Sequence, residues 1–290
     1  MPDQRCLLSV HAHPDDESSK GPATVARYHA DGVHTVLVCC TGGEEGDILN
    51  PAMDKPEVRE NLAEVRRQEL ATATSIIGYD EVIMLGYRDS GMADTEANKN
   101  PESFAMAPLD EAVGRLVAII RRVRPQVIIT YPEEQTQYPH PDHIRVHEIS
   151  VIAFDAAGDP DAYPEAGAPY EPAKLYYSVW SVARMRALHE KFLELGLESP
   201  LGERWLTRLD AEPNFTTSIS TEGYDDVRGA ALRSHATQVD PSSRMWFGLP
   251  PEVQRTLHPF DEYLLARSRG QVADGIEDDL FAGLTADVFS

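Results

Sequence analysis

Arg5-Cys-Leu-Leu-Ser-Val-His-Ala-His-Pro-Asp-Asp-Glu17 is the stretch on which the fold turns. Cys6, Leu7, Leu8 and Val10 form an apolar run of strand length, which breaks at Pro14 into three successive carboxylates, Asp15, Asp16 and Glu17. A buried strand therefore opens into a polar cluster. In open α/β sheets the ligand crevice lies beyond the carboxyl ends of the strands, so His13, Asp15 and Asp16 stand where chemistry is expected. One imidazole and two carboxylates in so short a span also make a good corner for a divalent metal. Taken alone, the same residues equally describe a strand end, a turn and an Asp-capped helix start.

Outward from this stretch, strands and helices alternate. Ser18 or Ser19 can cap a helix through His29, with Pro22 in its first turn and Gly32 as its stop. Val33-His-Thr-Val-Leu-Val-Cys-Cys40 reads as a strand that ends in Thr41-Gly-Gly-Glu-Glu-Gly46. That glycine-rich turn carries two Glu and no Lys, which argues against a phosphate cradle. Leu62, Val65, Glu69, Ala73, Ile76 and Ile77 keep helical spacing up to Gly78, and Glu81-Val-Ile-Met-Leu85 is the next strand, leading into Gly86-Tyr-Arg-Asp-Ser-Gly-Met92. Leu109, Ala112, Val113, Leu116, Val117, Ile120 and Val123 then mark a helix, and Gln126-Val-Ile-Ile-Thr130 a fourth strand. Strands joined by crossover helices predict an α/β fold with a mainly parallel sheet covered on both faces.

A second cluster follows that fourth strand: Tyr131-Pro-Glu-Glu-Gln-Thr-Gln-Tyr138-Pro-His140-Pro-Asp142-His143, continuing to His147. Two clusters at the ends of two parallel strands can face each other across one crevice. His143 and His147 are four residues apart and both suit chelation from one helix face. Pro141-Asp142 as a helix start instead puts His143 in the first turn beside the crevice and His147 a turn deeper.

Composition bounds the partners. With 48 acidic against 26 basic residues the formal charge is −22 over 290 residues, which repels nucleic acid and anionic lipid surfaces. No stretch resembles a signal peptide or approaches the ~20 apolar residues of a membrane span, so a cytoplasmic protein is expected. The three cysteines, Cys6 and the adjacent Cys39 and Cys40, read as reduced core residues. Residues 160–172 are rich in Pro, Gly, Ala and acidic side chains and mark a change of organisation. Beyond them a smaller α+β portion is expected to roof the crevice. It comprises a strand at Leu175-Tyr-Tyr-Ser178, a helix from Ser181 to Leu195 stopped by Gly196, and a strand at Phe215-Thr-Thr-Ser-Ile219. The expected division is a core at 1–158, a covering portion at 159–270 and an acidic tail at 271–290, partly ordered or an oligomer contact, around Asp274, Glu277, Asp278 and Asp279. The oligomeric state itself is not legible in the residues. Among the remaining histidines, His11 reads as a buried, hydrogen-bonded residue and His147 as a partner behind the site. His235, in a helix running from Tyr224, is as apt to line the pocket as not. His29, His34, His189 and His258 read as surface or packing residues.

His13-Pro-Asp-Asp-Glu17 together with His140-Pro-Asp-His143 resembles the zinc-dependent N-deacetylase family of the LmbE and PIG-L type. The resemblance implies a Rossmann-like fold and one zinc per chain, with Fe2+ as the alternative, held by His13, Asp16 and His143. It further implies Asp15 as general base, His140 and Tyr138 beside the scissile carbonyl, and Asp142 as a partner behind the ligands. The segments Thr41-Gly-Gly-Glu-Glu-Gly46, Arg88-Asp-Ser-Gly-Met92, the Arg66 to Glu69 pair and Ser234-His-Ala-Thr-Gln-Val239 are similar to the mycothiol branch of that family. Two reactions occur in that branch: removal of acetate from N-acetylglucosaminyl-inositol, and cleavage of the amide joining glucosaminyl-inositol to an S-substituted N-acetylcysteine. Glu17-Ser-Ser-Lys20 and Arg244-Met-Trp-Phe-Gly248 look like the second kind.

The resemblance thus implies a metal-dependent amidase of thiol detoxification, acting on a small-molecule mycothiol S-conjugate and releasing a mercapturic acid. Sugar deacetylation is the alternative, and a non-catalytic ligand-binding α/β protein the remote one. The chemistry suits the residues: an amide carbon is a poor electrophile, so its hydrolysis needs an activated water, a stabilised oxyanion and a proton for the leaving amine. Arg66 and Asp89 are expected to bind sugar and inositol hydroxyls. Lys20, placed at the start of the first helix, is expected to reach past the metal toward the acyl side of the substrate.

Overall fold

The computed structural model describes residues 4–133, 138–209, 211, 215–272 and 274–284. In chain order the elements are β1 (Cys6–His11), α1 (Asp16–Ser19), α2 (Pro22–Ala30), β2 (His34–Thr41), α3 (Pro56–Glu60), α4 (Leu62–Ile77), β3 (Glu81–Tyr87), α5 (Leu109–Val123), β4 (Val127–Thr130) and α6 (Pro141–Ala156). After them come β5 (Lys174–Val179), α7 (Val182–Glu194), α8 (Glu203–Leu206), β6 (Thr217–Ser220), α9 (Asp225–Ser234), α10 (Arg244–Phe247), α11 (Pro251–Leu257) and β7 (Phe260–Ser268). The strands form one sheet in the order β3-β2-β1-β4-β5-β7-β6. β3, β2, β1, β4 and β5 run parallel, and β7 pairs antiparallel with β5 and β6.

Alternation along the strands divides the core in two. Leu8, Val10, Val36, Val38 and Ile128 face one way and pack with Val113, Leu116 and Ile120 of α5 and Val146 and Ile149 of α6. Leu7, Val127 and Ile129 face the other way, toward Val25 and Tyr28 of α2 and Ala73 and Ile77 of α4. Both faces are covered, as a parallel sheet requires. The carboxyl ends of the parallel strands share one edge, so the turns after β1, β2, β3 and β4 meet there.

The expected helix from Ser18 or Ser19 to His29 is two helices. Pro22 cannot donate a backbone hydrogen bond, and Gly21 before it sits at φ 80° with its Cα against the Tyr263 hydroxyl, where a Cβ would lie 2.1 Å from that oxygen. Lys20 therefore ends α1, its N–H donating to the Asp16 carbonyl, and does not begin a helix. Downstream, Ser181 caps α7 as expected, its hydroxyl accepting from the Arg184 N–H at 3.0 Å.

The C-terminal portion does not build a sheet of its own. β5, β7 and β6 extend the parallel sheet, while α7 and its surroundings make a separate apolar cluster around Met185, Leu188, Phe192, Leu201 and Leu249. The expected acidic tail is, through Leu284, part of the fold. Leu280 and Phe281 are buried against Tyr28, whose hydroxyl donates to Asp279 at 2.7 Å. The Glu277 carboxylate meets the fully buried Lys174 amine at 3.0 Å. Residues 285–290 lie outside the described residues. All three cysteines are buried and free, and no helix among the described residues is long and apolar enough to cross a membrane.

Candidate metal centre

β1 delivers His13, Pro14, Asp15 and Asp16 to the carboxyl edge of the sheet in a tight turn. Asp15 adopts φ 119°, left-handed for a non-glycine residue, which costs on the order of 1–3 kcal/mol and persists only where neighbours hold it. Its N–H donates to Glu17 Oε2 at 2.9 Å, and Arg66 lies 3.4 Å from its carboxylate. Asp16 Oδ2 accepts from the His13 N–H at 2.9 Å and from the Tyr131 hydroxyl at 2.7 Å, while Oδ1 accepts from Lys20 Nζ at 2.5 Å. The Tyr131 hydroxyl in turn accepts from the Ala12 N–H at 2.9 Å, so the first residue after β4 clamps the turn after β1.

α6 brings the second cluster. His140 caps it, Nδ1 accepting the Asp142 N–H at 3.2 Å, which leaves Nε2 for the crevice. The His143 ring stacks on Tyr131 at 4.5 Å and points Nε2 to within 3.4 Å of Asp16 Oδ2. That nitrogen is buried with no hydrogen-bond partner. His13 places Nε2 3.2 Å from Asp142 Oδ2 and Nδ1 3.5 Å from Asp16 Oδ2. Asp142, fully buried, is held by the Ser90 N–H at 3.0 Å and by the Ser90 hydroxyl.

Two overlapping sets of donors are close enough to hold one ion: His13, Asp16 and His143, and His13, Asp89 and His140. The first set fits a metal better. It contains the orphaned His143 nitrogen, and its His13 is backed by a carboxylate as metal-bound imidazoles commonly are. In the second set Asp89 already accepts the Gly91 N–H at 2.8 Å and the Glu45 N–H at 3.3 Å, and His140 Nδ1 is taken by α6.

Charge sharpens the picture. Burial works against a charged His13, but Asp142, Asp16 and Asp89 outweigh it and lift its pKa well above the usual range. Burial likewise opposes ionised Asp16, yet Lys20 and His143 beside it hold its carboxyl well below. His140 is pushed down to about 4 by burial and by the neighbouring His13. Asp15 goes the other way: desolvation in the recess raises its pKa, against the pull of Arg66.

Most predicted site residues converge here, but several stand differently from expectation. Arg66 is 2% exposed, its guanidinium donating to the Gly43 and Pro14 carbonyls, each at 2.5 Å. It is a strut under two loops and offers no free fork to a polyol; Gly43, at φ 70°, is required because a Cβ there would strike that guanidinium. Asp89 is buried and faces His13 at 3.6 Å, so it is a wall of the metal recess. Lys20 folds back so that its amine meets Asp16, at the edge of a small recess that it shares with Trp180. Tyr138, half exposed, stacks beside His140 with ring centres 5.7 Å apart. His147 turns away to the Tyr131 carbonyl at 3.0 Å. His11 is buried as expected, but neither ring nitrogen has a hydrogen-bond partner. Tyr131, Ser90 and the Glu17–His235 contact at 2.7 Å escaped the sequence reading. Tyr131 alone carried a signal, its place directly after a strand.

A mainly parallel sheet with a His and carboxylate cluster beyond its strand ends defines an α/β protein with a candidate metal site in its crevice. Residues 8–154 match the family described as PIG-L: GlcNAc-PI de-N-acetylase, and the chain belongs to that family. It is 45% identical to the mycothiol S-conjugate amidase of Streptomyces coelicolor, over 98% of this chain and 99% of that one. It is 40% identical to the 1D-myo-inositol 2-acetamido-2-deoxy-alpha-D-glucopyranoside deacetylase of Geodermatophilus obscurus, over 98% and 99%. Its fold is similar to that of N,N'-diacetylchitobiose deacetylase from Pyrococcus horikoshii, with a TM-score of 0.63 at 17% identity, over 91% of this chain and 84% of that one.

The geometry separates the two α6 histidines. His143→Ala is expected to lose stoichiometric zinc by elemental analysis while His147→Ala keeps it, and the reverse pattern contradicts the ligand set. A second expectation concerns His11, whose pKa burial pushes from 6.5 to about 4. At this site the folded protein then binds fewer protons than the unfolded chain in this window. Its contribution is present above pH 6.5 and is lost as pH falls toward about 4, a change on the order of 3 kcal/mol. Urea titrations of chelator-treated protein should therefore show a smaller stability loss over that range for His11→Phe than for the wild type; equal losses contradict it.

Proposed function

We propose that the chain is a zinc-dependent amidase that hydrolyses mycothiol S-conjugates to glucosaminyl-inositol and an N-acetylcysteine S-conjugate. The observation that carries this reading is the 45% identity, end to end, to an S-conjugate amidase, against 40% to a deacetylase of the same branch. In this reading His13, Asp16 and His143 hold the metal. When bound, zinc supplies a Lewis acid that polarises the amide and brings the pKa of water from about 16 to roughly 7.

The remaining work is done by protons. Asp15, desolvated and fixed in its strained turn, accepts the proton of the attacking water and returns it to the glucosamine nitrogen as the C–N bond breaks. His140, with its pKa near 4 and Nδ1 occupied by the Asp142 N–H, stays neutral at working pH and carries its hydrogen on Nε2. That N–H is the donor to the developing oxyanion, with the Tyr138 hydroxyl at the rim as the second. Asp142 orients His13 from behind. Asp89 and the loop at residues 42–46 line the sugar side, where Glu44 braces the Asp89 N–H at 3.0 Å. Arg66 serves the substrate indirectly, by carrying that loop and Asp15.

Lys20 stands on the opposite side, in a small recess shared with Trp180 at the end of β5. An acetyl group gives a cationic arm there nothing to bind; an S-substituted cysteinyl group presents further polar atoms. The alternative, deacetylation of N-acetylglucosaminyl-inositol, draws on the same catalytic groups and on the 40% identity to an enzyme named for it.

Side-by-side turnover of an S-alkylated mycothiol and of N-acetylglucosaminyl-inositol tests the choice. A kcat/KM larger for the S-conjugate is expected, and a larger value for the sugar supports deacetylation. Lys20→Ser should lower kcat/KM for the S-conjugate more than for the sugar; equal losses move specificity elsewhere. Asp15→Asn should keep its zinc and lose roughly 10²–10⁴ in rate on either substrate. Parallel loss of metal and activity contradicts the proton role.

A further inference from the structure

The segment after α9, Ser234-His-Ala-Thr-Gln-Val239, takes no part in the chemistry above, yet it reaches the back of the catalytic turn by two routes. On the first, His235 is fully buried and Nε2 lies 2.7 Å from Glu17 Oε1. Glu17 is fully buried as well, and Ser18 Oγ donates to the same oxygen at 2.5 Å. Its other oxygen, Oε2, accepts the Asp15 N–H at 2.9 Å. On the second, Thr237 donates to the Glu69 carboxylate through its N–H at 2.8 Å and its hydroxyl at 2.7 Å. Glu69 lies on α4, one turn beyond the Arg66 that holds the Pro14 and Gly43 carbonyls.

We propose that His235 is a positioning residue for Asp15, acting through Glu17: the imidazole fixes the carboxylate that holds the Asp15 N–H, and so keeps Asp15 in its left-handed turn and aimed across the recess. The proposal rests on the reading of Asp15 as the group that moves protons. A buried carboxylate stripped of its partner turns toward other donors. That turn releases the Asp15 N–H, and the φ of 119° relaxes toward the ordinary regions open to an aspartate. The Asp15 carboxylate then swings out of place while His13, Asp16 and His143, which Tyr131 and Asp142 brace independently, stay where they are. A merely structural staple between α9 and the core predicts lower stability without this selective loss.

The test uses the full chain with His235→Leu and His235→Gln, the latter keeping an N–H donor for Glu17. Three quantities are measured: zinc content, kcat and KM on the preferred amide, and the Asp15 amide resonance in 15N-labelled metal-free protein. His235→Leu is expected to retain one zinc, keep KM within about threefold and lose roughly 10²–10³ in kcat, the cost of misplacing a general base. Its Asp15 amide proton should move upfield as the bond to the carboxylate is lost. His235→Gln should recover kcat to within about tenfold of wild type and restore the amide shift. A kcat for His235→Leu within threefold of wild type, an unmoved Asp15 resonance, or a folded Gln variant as poor as Leu would each overturn the proposal. Where His235→Leu does not fold, His235→Phe, which keeps a planar ring and removes the donor to Glu17, carries the same measurements and the same outcomes. Full activity in Asp15→Asn sinks the reading of Asp15 instead, and the amide resonance still decides whether His235 fixes the turn.

Discussion

The hydrogen bond from the Tyr131 hydroxyl to Asp16 at 2.7 Å joins the two halves of the site. Tyr131 follows β4, Asp16 follows β1, and these strands are neighbours in the sheet, so a single phenol fixes the spacing between the two strand-end clusters. His143 lies against the face of the same ring, which aims its free nitrogen at Asp16. The donor set is therefore a consequence of strand adjacency. Parallel pairing of β1 with β4 puts both turns on one edge, and the ring sets the remaining distance.

The same crowding gathers Asp15, Asp16, Glu17, Asp89 and Asp142 in one recess of a chain whose formal charge is −22. Each buried carboxylate has an answer: Lys20 for Asp16, His235 for Glu17, Ser90 and His13 for Asp142, and backbone N–H groups for Asp89. An ionised group buried without such partners is expensive enough to change its protonation. The answers come from the turn after β1 and the end of α1, the turn after β3 and the segment after α9, so the C-terminal portion belongs to the electrostatics of the site.

Much of this was legible in the residues. Short apolar runs ending in polar clusters gave the parallel strands, because that signal is local, while the family resemblance carried by His13-Pro-Asp-Asp and His140-Pro-Asp-His143 named three residues whose donor atoms the fold brings within reach of one ion. What was not legible depends on partners far along the chain. Arg66 looks like an exposed helical residue until the loops at Pro14 and Gly43 close over it. Lys20 looks like a helix start until Gly21, pressed against Tyr263, ends the first turn. Glu277, Leu280 and Phe281 look like an acidic tail until Lys174 and Tyr28, more than 100 residues away, claim them. In each case the burial that sets the role is created by tertiary contact, to which periodicity is blind.

The claim on which the rest depends is that one metal sits among His13, Asp16 and His143 with Asp15 beside it and not on it. Anomalous diffraction at the zinc absorption edge from crystals of zinc-loaded protein measures this directly. The account predicts a single peak per chain within coordination distance of His13, Asp16 and His143, with Asp15 outside the coordination sphere. A peak among His13, Asp89 and His140, or one coordinated by Asp15, would contradict it.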